Sequence, residues 1–499
     1  MGTIRKQGIY NTIFAYLGVL IGFVNILVLQ PEWLTAEQLG LVRMLFSTSI
    51  ILGTLYPLGL NGVIVRFFPQ FRNKEQGNYG FINLVFLIVI GSYLVFAAAI
   101  YFFRNEIFEG YNKSPLFIQY FNYIFPMTLF AGLVSMANAY ASIIFKSTIS
   151  AFLDEVFNRF YQVIILCLFF LEIISFGTFV TLFMLMYAIQ FSILAFYLSA
   201  KDKLTTRIDW PFMRKQNWRE ILNFTVVIAL ASLASRSLRQ LDIVMLGSNL
   251  SAGIPLEEVA VYTIAATIGA IVEVPANALS KIADSKVSDA LHRNDLKLVQ
   301  TVYSKSARFL SVLGGLFFLG VVINIHSLLS LIGGKYVNGE TVVIIMAGSA
   351  FFNMATGLNN SIIFYSKYYR WGSALVIAMV IMSFGLNYWL IPLYGITGAA
   401  IATASTFVFY NVVKFLIIWF SFRLQPFGKF VPVVVILTGI CLGVNYFLPA
   451  ADNKYLDILY RSVLVTGIYI AGIIFSKVIP GLNSFFKKGE KRSLFEFLQ

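Results

Sequence analysis

Residues 234–246 read A-S-R-S-L-R-Q-L-D-I-V-M-L. The stretch sets two guanidinium groups, Arg236 and Arg239, and one carboxylate, Asp242, inside an apolar run from about residue 221 to 247. A guanidinium fork suits phosphate and carboxylate oxygens. A carboxylate in a span takes a proton or a cation, or pairs with a neighbour. At the centre of a membrane helix each such charge costs about 2.5–3.5 kcal/mol. On one continuous helix Ser232, Ser235, Arg236, Arg239 and Asp242 share a face about 120° wide. That face is expected to meet protein or water, not lipid. A further acid, Glu273, stands two residues before Pro275 in the next apolar run, where proline frees backbone carbonyls.

Two uses of these residues stay open. In one, Arg236 and Arg239 bind an anionic ligand, and Glu273 and Asp242 are the ion-coupling candidates. In the other, Arg239 pairs with Asp242 at i, i+3 and Arg236 pairs with Glu273. Asp242, near the outer end, also suits a pairing or capping role. Arg66 reads as a flank that snorkels to the inner surface, or as a group meeting a headgroup at the inward opening. Asn277, Asn359 and Asn360 are amides in or near spans. Most span asparagines form interhelical hydrogen bonds of about 0.6 kcal/mol.

Composition says what must position these groups. The 499 residues are 59% hydrophobic and 12% charged, about half the charge of a soluble domain. Apolar runs of about 20 residues recur from end to end, which predicts a polytopic all-α membrane protein. Alternation over ~10-residue segments, the mark of a β-barrel, is missing. The run from Tyr10 to Leu29 is too long for a signal-peptide core and reads as an uncleaved first span. Cys167 and Cys441 lie in spans and imply no disulfide framework; His292 and His326 stand alone, so no metal site is expected.

The hydropathy pattern predicts fourteen spans: 10–29, 41–65, 80–103, 117–145, 159–174, 178–199, 221–247, 259–280, 306–325, 341–365, 372–391, 395–422, 431–448 and 458–478. The fifth is short. With both termini in the cytoplasm, six Lys/Arg fall outside: Arg43, Arg104, Lys113, Lys335, Lys454 and Arg461. Most of the 37 fall inside, with Lys414 assigned to the inner end of its span. The net charge of +14 therefore follows topology and does not call for nucleic acid. The segment 281–305 is expected as a cytoplasmic loop with short interfacial helices. The tail mixes Phe485, Phe486, Phe495 and Phe497 with Lys487, Lys488, Lys491 and Arg492, which suits the anionic inner leaflet or an ordinary basic flank.

Ser142-Ile143-Ile144-Phe145 recurs as Ser361-Ile362-Ile363-Phe364, an offset of 219. Ala36–Val42 resembles Pro255–Val261 at nearly the same offset, and Pro57 has a counterpart in Pro275. The agreement predicts a parallel repeat. The expected division is a six-helix bundle 1–200, a cytoplasmic linker 201–220, a second six-helix bundle 221–423, an extra helix pair 431–478 and the tail 479–499, with a central cavity between the bundles.

Residues 241–247 (L-D-I-V-M-L-G), residues 256–265 (L-E-E-V-A-V-Y-T-I-A), Leu39-Gly40-Leu41 and Gly59-Leu60-Asn61 with Arg66 and Pro69 are similar to the polysaccharide exporters, the Wzx-type O-antigen flippases. These belong to the MOP superfamily with the MATE antiporters and MurJ-type lipid II flippases. The resemblance implies a MATE-like fold and a bacterial inner-membrane protein. It implies a transporter that moves an undecaprenyl-diphosphate-linked oligosaccharide to the outer leaflet by alternating access, with a cationic cavity. Arg236, Arg239 and Arg66 would then meet the diphosphate or acidic sugars, and Asn277, Asn359 and Asn360 the sugar path. Partners expected on that basis are the lipid-linked glycan, membrane lipids, H⁺ or Na⁺, and the polysaccharide polymerase and chain-length proteins.

The competing transporter is a MATE-like H⁺- or Na⁺-coupled exporter of drugs or other small molecules, whose cavity would be dominated by acids. A polymerase or ligase would want a sizeable external loop bearing catalytic groups, and the external loops here are short. A scaffold would not need a buried charged stripe. Gly333-Gly334-Lys335 lacks phosphate-loop spacing, so neither ATP nor another cofactor is expected.

Overall fold

In a bilayer every backbone N–H and C=O must bond within its own segment, so apolar runs of this length fold as helices. The computed structural model describes residues 2–73, 77–201, 207–238, 240–251 and 253–478, and all regular structure among them is helical. The basic aromatic tail 479–499 and Arg239 lie outside the described residues. The chain forms two compact units, 1–260 and 261–499.

The first unit contains α1 (Gly2–Val24), α2 (Ala36–Leu55), α3 (Leu60–Phe71), α4 (Phe81–Phe102), α5 (Pro115–Ile143), α6 (147–170) and α7 (Phe176–Lys201). Then follow the short α8 (Trp210–Arg214), α9 (Trp218–Ser237), α10 (Leu241–Leu246) and the start of α11 (Pro255–Ala270). α2 and α3 are one span broken at Tyr56-Pro57, where Leu58 takes a left-handed φ of 52°. Phe67, Phe68, Phe71, Phe81, Tyr140 and Leu194 build an aromatic core that joins α3, α4, α5 and α7. The described part of the linker packs on it. Tyr79 stacks on Phe212 with centroids 3.8 Å apart, and Asp209 caps α8 by accepting from the Phe212 N–H at 3.0 Å.

The second unit contains the rest of α11, α12 (Val274–His292), α13 (Leu296–Val322), α14 (Ile325–Ile332), α15 (Glu340–Ala355) and α16 (Asn359–Phe364). It ends with α17 (Tyr369–Phe422), α18 (Phe430–Phe447) and α19 (Lys454–Phe475). α17 is two helices joined at Gly395, three residues after Pro392. Each of the fourteen expected spans overlaps helix, in two cases with other bounds, and among the described residues eleven segments are apolar and long enough to cross a membrane by composition, with α17 taken as one. The repeat spacing also governs helix starts. Ala36 and Pro255, Pro115 and Gly334, and Phe176 and the Gly395 joint all stand 219 residues apart.

Four expectations are corrected. The fifth span is not 159–174: its helix runs over 147–170, through a π-helical segment Leu153–Phe157. Asp154, Glu155 and Arg159 had depressed its hydropathy. The run 221–247 is not one helix. It breaks between Ser237 and Leu241, where the Ser47 hydroxyl donates to Gln240 Oε1 at 2.7 Å, so the five-residue stripe is divided. The loop 281–305 is largely helix: α12 extends to His292 and α13 begins at Leu296, across a turn at Asn294 (φ 55°). Lys414 and Arg461 are not surface charges; they are 1% and 8% exposed.

Arg461 shows how such a charge is held. It pairs with Asp457 at 2.9 Å and donates to Asn445 Oδ1 and to the carbonyls of Leu448 and Pro449. Asp457 also accepts from Ser327 of α14 at 2.8 Å, so α19 is tied to α14.

Candidate functional site

The first unit places a carboxylate in the middle of a web of amides. Asp154 stands in the π-helical segment of α6, where the extra residue per turn opens the helix to its neighbours. Asn138 of α5 donates to its Oδ2 at 2.8 Å, and Gln190 of α7 donates to Oδ1. Gln190 is fully buried and also accepts from Asn158 at 2.8 Å. One turn on, Gln162 accepts from Asn25 at 3.2 Å. Asn25 begins a second π-helical segment, Asn25–Leu29, in the first span. Both carboxylate oxygens are met by neutral donors, which is what makes Asp154 tolerable among apolar helices.

Arginines stand around this web. Arg159 is one turn beyond Glu155 and pairs with it at 3.1 Å. Its side chain lies in a notch on α1: a Cβ added to Gly18 would collide with Arg159 Nη1, and one on Gly22 would come 3.2 Å from its Cδ. Arg236 of α9 is exposed, and its charge reaches both Asp154 and Tyr187. Arg66 of α3 meets Glu220 at 3.6 Å and lies 4.4 Å from the centroid of Phe224. Both sides of the Arg66–Glu220 pair are about half exposed, so it holds orientation more than stability.

Arg66, Arg159 and Arg236 line one cavity of about 770 Å³ with Asn61, Asn138 and Asp154. Ser135, Asn158, Gln162 and Tyr187 complete its polar wall, and Phe46, Ile50, Phe224 and Ile228 are among its apolar lining. Three guanidinium groups face one lining carboxylate. Chemically, this wall suits a ligand with an anionic group and hydroxyls, because arginine forks take the anion and amides exchange hydrogen bonds with hydroxyls.

Of the residues singled out from sequence, Arg236 and Arg66 meet in this cavity, and Arg239 lies outside the described residues. Asp242 is buried in the first turn of α10. The other four are in the second unit. Asn277 is exposed on α12. Glu273 closes a 3₁₀ turn, Ile271–Glu273, and accepts from Asn353 of α15. Asn359 is buried and Asn360 exposed; both accept from Lys414, at 3.0 and 2.9 Å.

Sequence reasoning missed Asp154, Asn158, Arg159, Gln162 and Gln190. Asp154, Asn158 and Gln162 repeat every four residues in sequence, a polar spacing of the kind that drew attention to Arg236. Asp154 and Asn158 fall between the expected fourth and fifth spans, whereas Arg159, Gln162 and Gln190 fall inside expected spans and were not singled out. Lys414 was missed because its distance from the next polar stretch suggested a surface flank.

The sequence profile described as polysaccharide biosynthesis protein matches residues 4–282 of this chain. No curated protein matches the sequence. Among solved structures, the chain is similar to the lipid II flippase MurJ in an inward closed conformation: TM-score 0.73, 14% identity, 94% of this chain and 98% of that one covered. It is also similar to an inward-facing multidrug resistance MATE family transporter of the MOP superfamily: TM-score 0.63, 16% identity, 82% and 94% covered. A third similar structure is a MOP superfamily transporter from Pyrococcus furiosus, described as having reversed polarity of its binding pocket: TM-score 0.58, 14% identity, 84% and 96% covered. At these identities the likeness is one of fold.

Proposed function

The chain belongs to the polysaccharide biosynthesis protein family with the fold of the MOP superfamily, and from that premise we propose that it is a flippase for a lipid-linked oligosaccharide. Its substrate is an undecaprenyl-diphosphate-linked repeat unit of a surface polysaccharide or O-antigen. It carries this from the cytoplasmic to the outer leaflet of the bacterial cytoplasmic membrane by alternating access, coupled to H⁺ or Na⁺. Two six-helix halves, 1–200 and 221–423, do this work, and the pair 431–478 is added to them.

The observation that carries the reading is the cavity in which Arg66, Arg159 and Arg236 outnumber Asp154. A diphosphate has the charge and the acceptor oxygens for those forks. The amides beside them suit sugar hydroxyls. The test is depletion of the protein followed by mass spectrometry of membrane lipids. A lipid-linked glycan should accumulate on the cytoplasmic side. An unchanged glycan-lipid pool would overturn the proposal.

One observation favours a second reading, a MATE-like exporter of small molecules: Asp154 in its amide web is a fitting group for a cationic solute or ion. Binding assays separate the two. An organic cation that binds in competition with protons supports the exporter; binding of a diphosphate lipid supports the flippase.

A further inference from the structure

Lys414 lies in the second helix of α17 and is 1% exposed. Its ammonium donates to Asn359 Oδ1 and Asn360 Oδ1 and sits 3.9 Å from the centroid of the Tyr410 ring. Tyr410 in turn donates to Asn360 Oδ1 at 3.3 Å. Asn359 donates to Thr356 Oγ1 and to Asn411 Oδ1, at 3.0 and 3.1 Å. The hydrogen-bond acceptors of this ammonium are thus neutral amides. The charge of Glu273 also reaches it.

These contacts bracket a break in a helix. α15 ends at Ala355 and α16 begins at Asn359. Between them Gly357 has φ +67°, and a Cβ there would stand 3.0 Å from the Ala307 Cβ. Before the break, Asn353 is bonded to Glu273. After it, Asn359 and Asn360 are bonded to Lys414. One acid and one base, on different helices, therefore hold the two sides of one joint.

Two acids on the neighbouring elements have partners of their own. Asp284 of α12 is engaged by Ser361 on the far side of α16. Glu340, at the start of α15, is bonded to His326. Tyr303 of α13 belongs to the apolar cluster of Ile362, Ile363 and Ile418. Exposed Asn360 gives the ammonium a polar route outward.

We propose that Lys414 is a proton-binding site that sets the joint between α15 and α16, and that the second unit responds to a proton gradient through it. Lysine serves here where arginine would not, because a buried lysine can release its proton. The ammonium releases one proton to water, leaving a neutral amine. The neutral amine loses its charge-assisted bonds to Asn359 and Asn360, and α16 is freed from α17. As a coupling role, this rests on the transport reading above; as a proton site, it does not.

The test is hydrogen exchange of backbone amides across 353–364 in the purified full-length protein in lipid nanodiscs, from about pH 6 to about pH 10, corrected for intrinsic rates. Protection in the wild type should fall by about tenfold or more as pH rises, the factor that loss of one or two charge-assisted hydrogen bonds implies. Lys414→Arg should keep its protection throughout, and Lys414→Met should lack it throughout. A flat wild-type profile, or the wild-type step retained in Lys414→Arg, would overturn the proposal. If neither variant folds, a flat wild-type profile still overturns the proposal, and Asn359→Leu, which removes one acceptor of the ammonium, should reduce the wild-type step. A normal exchange step in a protein that moves no lipid-linked glycan upholds the proton site and removes the flippase reading instead.

Discussion

Asp154 in the first unit and Lys414 in the second are each a single charge inside a helical bundle, held by amide side chains. Their signs are opposite. Asn138 and Gln190 turn their NH₂ groups to the carboxylate, whereas Asn359 and Asn360 turn their carbonyl oxygens to the ammonium. The repeat does not carry this chemistry. The position 219 after Asp154 is Ser373, and the position 219 before Lys414 is Ala195. Helix starts keep the spacing while the polar centres do not. Packing constrains every turn of a duplicated bundle, but a charge and its amides form a local set that can be installed on whichever helices have room.

The comparison also separates access. The Asp154 web lines a cavity with three arginines, so its carboxylate is within reach of whatever enters. Lys414 is almost wholly enclosed, and only Asn360 of its partners is exposed. The first unit is suited to contact with a ligand, the second to control of a joint.

The largest expected effect breaks the first half of that contrast. Arg236→Glu places a second acid beside Asp154 in the arginine-lined wall. Export, measured as turnover of the accumulated glycan lipid, should fall by about 100-fold, because the reversal replaces an attraction for the anionic ligand with a like-charge repulsion, with normal protein abundance. Full export would remove Arg236 from the site. Next, Asp154→Ala leaves the Asn138 and Gln190 donors unmet and should cost about 2–4 kcal/mol, whereas Asp154→Asn should cost clearly less. Thermal unfolding in detergent reads the difference; equal losses would mean the web does not hold the carboxylate.

Smaller again is Gly18→Ala, which drives a methyl against Arg159 and the Glu155 carbonyl and should cost about 1–3 kcal/mol. Gly91→Ala has nothing within 4 Å of its new methyl and is the matched control. Equal melting temperatures for the two would show that the α1 notch does not position Arg159. Least of all, Glu220→Gln removes the half-exposed partner of Arg66 and should change stability by under about 1 kcal/mol. A larger loss by the same measurement would make that pair part of the frame.

Hydropathy made the helices legible, because a span must be both long and apolar. It failed where a span spends its apolar character on function. α6 carries Asp154, Glu155 and Arg159 up to its middle, so a window average begins the span at 159 although the helix, with internal partners for these charges, begins at 147. Arg236 was legible because its neighbours are apolar enough to keep the run intact. The break after Ser237 was not: no proline or glycine marks it, and it shows in the helix bounds and in the bond from Ser47 to Gln240. Lys414 illustrates a further gap. Sequence gives the distance of a residue from the end of its run, and packing decides whether that place is surface or core.

The π-helical segment of α6 sets an angular phase. An α-helix advances about 100° per residue, so the residue accommodated between Leu153 and Phe157 turns everything after it by that amount relative to an uninterrupted helix. Asn158, Arg159 and Gln162 reach the cavity wall in that shifted phase. A relative whose helix is regular here would need the same polar residues displaced by one position in sequence to present the same wall, so an alignment that matches residue types without allowing for the bulge would pair the wrong faces.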